Sequence, residues 1–112
     1  LPRLIGWQKA SALMMLGDKI PAAEAEQMGM VYKVFPDEAF TAETKKIAAA
    51  LAKMPTRGLG YMKHVLNQSM TSSLEEQLLL EDEFQKKAAA TRDFKEGVQA
   101  FLEKRPAVFK GE

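Results

Sequence analysis

The sequence predicts an all-α fold of about six helices with one short extended segment. Three observations carry this expectation. Apolar residues recur at helical spacing in several stretches. Gly and Pro punctuate the chain between those stretches. Only one run, Met30 to Phe35, is β-branched and aromatic enough to read as extended, and one strand cannot form a sheet alone.

Trp7 to Leu16 reads as a first helix, with Trp7, Ala10 and Met14 on one stripe and Gly17 placed to end it. A second, short helix runs from about Ala22 to Met28. Pro21 opens it, where a missing N–H does no harm, and Gly29 closes it. Pro36 stops the extended run, which either pairs with other chain or serves as a connector. Asp37 can cap the third helix, to about Lys53, with Phe40, Thr44, Ile47, Leu51 and Met54 on one face. Pro55 ends it.

Thr56 can cap a fourth helix to about Gln68, striped by Leu59, Met62 and Leu66. Ser72 and Ser73 each precede a glutamate by three residues, which is a capping-box pattern. The fifth helix then runs to about Ala90. Its Leu78, Leu79 and Leu80 spread over about 200° of circumference, so it needs neighbours on more than one side. Thr91 can cap a sixth helix, about Arg92 to Lys104, with Phe94, Val98, Phe101 and Leu102 apolar. Gly97 in its middle is unfavourable for a helix and points to close approach by another element. Pro106 lies just beyond its end.

A chain of 112 residues supports one domain, which would bury roughly 65% of the surface its unfolded form exposes. The hydrophobic share of 46% argues against disorder. Basic and acidic residues number 16 and 15, a balance that does not suit a nucleic-acid-binding face. There are no cysteines, hence no disulfide frame and no thiolate nucleophile, which fits a reducing compartment such as the cytoplasm. No apolar run reaches the ~20 residues that span a bilayer. The start, Leu1-Pro2-Arg3-Leu4-Ile5-Gly6, has no signal-peptide pattern. It begins mid-phrase without Met, so a longer parent chain is the expectation.

Signals for chemistry are sparse. Gly58-Leu59-Gly60 opens a helix and does not follow a strand, so it makes no phosphate loop. His64 is the only histidine, no metal cluster is available, and a helix-surface position beside Lys63 explains it. Ser11, Ser69, Ser72 and Ser73 read as surface or capping residues. The pairs Glu81 with Glu83 and Glu75 with Glu76 do not face each other on a helix. Met14, Met15, Met28 and Met30 read as core packing, with a ligand or interdomain surface as the alternative. The run Phe101-Leu102-Glu103-Lys104-Arg105 sets an aromatic ring one turn before two cations at a helix C-terminus. The helix dipole alone favours cations there. The alternative is an aromatic, anionic ligand, with a ring on Phe101 and a phosphate on Lys104.

Several passages, in order along the whole chain, resemble the crotonase (enoyl-CoA hydratase/isomerase) superfamily. They are Leu1 to Gly6 with Lys9-Ala10; Leu16 to Ile20 with Ala23-Glu24-Ala25 and Gly29-Met30-Val31; Val34-Phe35-Pro36; Glu96-Gly97-Val98; Ala100 to Arg105; and Phe109-Lys110-Gly111. Pro21 departs from the capping Ser or Thr often found there, which touches no catalytic role. The resemblance implies a single helical C-terminal (trimerisation) domain over residues 1–112, with the N-terminal spiral domain absent. It implies trimers or paired trimers, an acyl-CoA thioester as substrate, no separate cofactor, no nucleic acid and no membrane. The implied chemistry is an oxyanion hole of two backbone N–H groups that stabilises a thioester enolate, with acidic residues moving protons. Those groups lie upstream in the family, so no catalytic residue carries over and the chain alone is expected to be inactive.

Two residues do carry over as CoA contacts: Phe101 near the adenine and Lys104 near the 3′-phosphate. Hydration, double-bond shift and ring-epoxide isomerisation share this scaffold, and the passages lean toward the phenylacetate-degradation branch. A free-standing helical interaction module is the competing expectation, motivated by the Leu78–Leu80 faces.

Overall fold

The computed structural model describes residues 1–112. Seven helices make up the chain: α1 (Pro2–Ile5), α2 (Trp7–Leu16), α3 (Ala22–Gln27), α4 (Asp37–Ala52), α5 (Thr56–Ser69), α6 (Leu74–Ala89) and α7 (Arg92–Glu103). There is no strand, so the fold class is all-α. No helix is long and apolar enough to cross a membrane. Two compact units divide the chain, Leu1–Glu43 and Thr44–Glu112.

In the first unit, α1 is a helix the periodicity did not predict. It is a single turn, opened by Pro2, whose ring fixes φ near the helical value. One turn is too short to show a repeating apolar stripe. Gly6, at φ 82°, separates it from α2. Ala10 is the buried residue of α2, whereas Trp7 and Met14 of the expected stripe are 76% and 73% exposed. Met15 is exposed as well, so the core reading fails for the Met14-Met15 pair.

α2 and α3 end as expected, each on a glycine in the left-handed region: Gly17 at φ 71° and Gly29 at φ 78°. At Gly29 the closure is a Schellman motif: the Met30 N–H donates to the Ala25 carbonyl and the Gly29 N–H to that of Glu26, both at 2.9 Å. The strand-like run bends at Met30–Tyr32 and continues without regular structure to Pro36. It is a connector.

Asp37 is the first residue of α4 and not its cap. Helical bonding already starts at the Pro36 carbonyl, which accepts the N–H groups of Ala39 and Phe40 at 2.9 Å each. Similarly, Thr56 begins α5 without capping it, because the Pro55 carbonyl accepts from Leu59 at 3.0 Å.

In the second unit, the short link Met70–Ser73 folds α5 and α6 into a helical hairpin. Its seam is aromatic. The Phe84 ring meets Tyr61 edge-on at 5.4 Å and His64 at 4.8 Å between centroids. His64 thus sits on the surface, as expected, with one face covered. Ser73 and Glu76 form the capping box at the start of α6: the Ser73 hydroxyl accepts the Glu76 N–H, and the Glu76 carboxylate accepts the Ser73 N–H at 2.8 Å. That second bond, with the one from the Ser73 hydroxyl, holds the Glu76 carboxyl below its usual range. α6 contacts both α5 and α7, which answers its need for two neighbours in part. Thr91 caps α7 by accepting the Phe94 N–H at 3.1 Å.

The apolar stripes form at the predicted spacing, yet most remain uncovered. Phe40, Ile47 and Leu51 along α4 and Met54 just past its end are exposed, as are Met62, Leu66, Leu78 and Leu79. The chain exposes 9123 Å² in all. Two independent compact domains of these lengths would expose roughly 7400 Å² together. The chain is thus more open than two compact domains, and its exposed large apolar side chains are unfavourable in water. The isolated chain should therefore self-associate and bind a hydrophobic dye. Sedimentation at rising concentration checks this, and a clean monomer throughout would contradict it.

Candidate functional site

α7 and the tail after it form the most tightly specified part of the chain. The helix ends in a second Schellman motif: Arg105 N–H donates to the Ala100 carbonyl at 3.0 Å and Lys104 N–H to the Phe101 carbonyl at 3.2 Å. The motif needs one residue in the left-handed region. α3 supplies Gly29 there, but α7 supplies Lys104, at φ 54° and ψ 37°. Lys104 is the one non-glycine residue of the chain with positive φ. A side chain in that conformation costs about 1 kcal/mol relative to the right-handed one.

The chain beyond Lys104 is clamped. The Arg105 guanidinium turns back along α7 and grips Glu96 with two parallel bonds, Nη1 to Oε1 at 2.6 Å and Nη2 to Oε2 at 2.9 Å. This fork-on-carboxylate geometry is the strong form of an ion pair. Arg105 Nε also reaches Glu103 at 2.6 Å. Glu96 Oε1 accepts the Val108 N–H at 2.9 Å as well, so one carboxylate holds both the arginine and the tail. These bonds stabilise the ionised form: those from Arg105 first, then the Val108 N–H, hold Glu96 down to about 2. Glu103 is also lowered, first by Gln99 and then by Arg105, and the guanidinium is correspondingly raised.

Asp93 repeats the device one turn earlier. It is only 3% exposed, and its two carboxylate oxygens accept the N–H groups of Lys110 and Gly111 at 2.7 Å each. The Glu112 carbonyl accepts the Asp93 N–H at 3.0 Å, and Arg92 pairs with the Glu112 carboxylate at 3.0 Å. The tail then touches the start of α5: a Cβ added at Gly111, itself at φ 76°, would lie 2.5 Å from Thr56 Oγ1. The close approach expected at Gly97 is made by the Phe109 ring, 3.5 Å from where a Cβ would stand.

Phe94, Val98, Phe101, Leu102 and Phe109, with Pro55, line an apolar groove of about 420 Å³. Phe101 is 82% exposed and sits one helical turn before Lys104. The structure therefore brings the two sequence-predicted site residues to one helix end, both open to solvent. It does not leave Arg105 beside them as a second available cation. The clasp of Asp93, Glu96 and Arg105 was not predicted as such, although Glu96 and Arg105 fall within the passages that carry the resemblance. No group of His, Cys, Asp and Glu side chains could hold a metal ion.

The profile of the family described as enoyl-CoA hydratase/isomerase matches residues 1–112, the whole chain. The chain belongs to the enoyl-CoA hydratase/isomerase family. Among its relatives, the 1,2-epoxyphenylacetyl-CoA isomerase of Escherichia coli K12 is 40% identical over 111 residues, which is 99% of this chain and 42% of that protein. The 2,3-dehydroadipyl-CoA hydratase of the same organism is 35% identical over 99% of this chain and 44% of its own length. The crystal structure of an enoyl-CoA hydratase from Bacillus anthracis superposes with a TM-score of 0.93 at 32% identity, over 99% of this chain and 43% of that one. This enoyl-CoA hydratase/isomerase chain thus has the fold of the C-terminal helical part of a crotonase. It spans less than half the length of these relatives.

A pH dependence follows from Glu96. Its folded pKa is depressed, so the clasp contributes stability that is complete above the ordinary carboxylate value of 4.5 and is lost as pH falls toward about 2. Protection of the Val108 amide from hydrogen exchange, corrected for intrinsic rate, should hold from about pH 7 to pH 5, decline steadily below about pH 4.5 and be lost near pH 2. In Glu96→Gln it should already be weak at neutral pH. Protection that is flat across this range would contradict the assignment.

Proposed function

We propose that this chain is the oligomerisation and CoA-supporting part of an acyl-CoA hydratase or isomerase. In this reading an N-terminal spiral domain completes the enzyme, and sister subunits pack on the helices as a trimer or paired trimers. The large apolar side chains left exposed on α2, α4 and α6 support such packing.

The chemistry belongs to the N-terminal half. A thioester oxygen held by two backbone N–H groups there would stabilise the enolate-like transition state, and carboxylates would move protons. No residue of this chain takes a proton-transfer role. Its contribution is binding energy remote from the reacting carbons, which orients the thioester. Phe101 offers an exposed ring on which an adenine can stack, and Lys104 an ammonium for the 3′-phosphate. Acyl-CoA enters as substrate, with no separate cofactor. The E. coli relative named 1,2-epoxyphenylacetyl-CoA isomerase favours ring-epoxide isomerisation over simple hydration; a part in phenylacetate breakdown and a place in the cytoplasm belong to the same proposal.

The observation that carries this reading is Lys104 itself. A strained lysine, with no ion-pair partner, ends α7 beside an exposed phenylalanine, where the family resemblance expects the CoA contact. Uncovered Leu74, Leu78 and Leu79 on α6 fit the rival reading of a free-standing interaction module equally well, but that reading gives Lys104 no role.

In the full-length protein, Lys104→Ala should weaken CoA binding roughly tenfold, the worth of one charge-assisted contact. Binding of 3′-dephospho-CoA should not change. Calorimetric titration with the two compounds decides it. Equal losses for both, or none for CoA, would remove Lys104 from the site.

A further inference from the structure

We propose that Glu96 and Arg105 are positioning residues that hold Lys104 in its left-handed conformation and leave its ammonium as the single available cation at the end of α7. The proposal rests on the reading of Lys104 as the contact to the 3′-phosphate of CoA and adds what makes that contact possible.

Two features of the geometry carry it. The first is conformational. A strained backbone persists only where its surroundings determine it from both sides. Before Lys104 stands the last turn of α7. After it, the chain is fixed at once: the Arg105 N–H bonds back to Ala100, its guanidinium is forked onto Glu96, and Glu96 also takes the Val108 N–H. The helices α2 and α3 reach the same conformation with glycine and carry no such clamp on the next side chain. At residue 104 the left-handed backbone also turns the Cα–Cβ bond away from the direction a continuing helix would give it.

The second feature is electrostatic. Two cations are adjacent in sequence, and both would attract a phosphate. Glu96 and Glu103 take up the Arg105 guanidinium with three hydrogen bonds, while Lys104 has no ion pair. The clasp thus chooses which cation faces an incoming anion. The choice depends on shape, because a lysine at position 105 keeps the charge but cannot make two parallel bonds to one carboxylate.

Arg105→Lys in the full-length protein tests this without changing net charge, with Glu96→Gln as a second variant. Hydrogen exchange of the segment 105–110 reads the clasp. The preference for CoA over 3′-dephospho-CoA, measured by titration, reads the positioning of Lys104. Both variants should speed exchange in that segment and reduce the preference by roughly threefold or more, while affinity for 3′-dephospho-CoA stays as it was. Faster exchange with an unchanged preference would overturn the proposal, since the clasp would then be structural only. Unchanged exchange would overturn it too. If Lys104→Ala abolishes the preference and Arg105→Lys does not, the reading of Lys104 stands and the positioning role fails. If Lys104→Ala leaves the preference intact, the reading fails and the proposal with it.

Discussion

The Arg105 guanidinium is forked onto the Glu96 carboxylate by two hydrogen bonds, and the end of the chain is organised around that contact. Because Glu96 sits on α7 and Arg105 just past its end, the bond folds the chain back on the helix it has just left. Val108 then completes the Glu96 oxygens, Asp93 receives the amides of Lys110 and Gly111, and Gly111 settles against Thr56. Buried or half-buried carboxylates are tolerated here because each accepts several hydrogen bonds. The clasp does for the tail what a core would otherwise do, and it does so with polar groups.

That economy matters because apolar burial inside the chain is slight. Ala10 and Ala100 are the buried apolar residues, and no large side chain is fully enclosed. Much of the apolar stripe on several helices remains exposed, which is what the proposed packing against further protein would cover. Hydrogen bonding and capping, which are local, define the helices. Burial, which is not, is slight within this chain. The division of labour inferred for the enzyme has the same logic: helices that bind and assemble, joined to a separate half that does the chemistry.

The sequence made the local features legible and the long-range ones not. The ends of α2 and α3 at Gly17 and Gly29, the Ser73 capping box and the Thr91 cap follow from chemistry within five residues. Asp37 and Thr56 misled, because a carbonyl from the preceding proline had already started each helix. The stripe on α4 was readable, but periodicity says which face is apolar and not what covers it. Lys104 stood out as a cation one turn after Phe101, and the family resemblance then favoured it as a CoA contact. Its left-handed backbone was unreadable, since glycine is the usual residue at that position. The Glu96–Arg105 pairing spans nine residues through a non-helical turn, outside any helical spacing rule. Phe101 and Lys104 were legible as residues, whereas the clamp beside them was not.

The central claim is that this helix end is built to present Lys104 to an external phosphate. A crystal structure of the full-length protein with CoA bound tests it most directly. The expected result has Lys104 at positive φ with its Nζ within about 3 Å of a 3′-phosphate oxygen, and Arg105 still on Glu96. A 3′-phosphate held by other residues, with Lys104 directed into solvent, would contradict it.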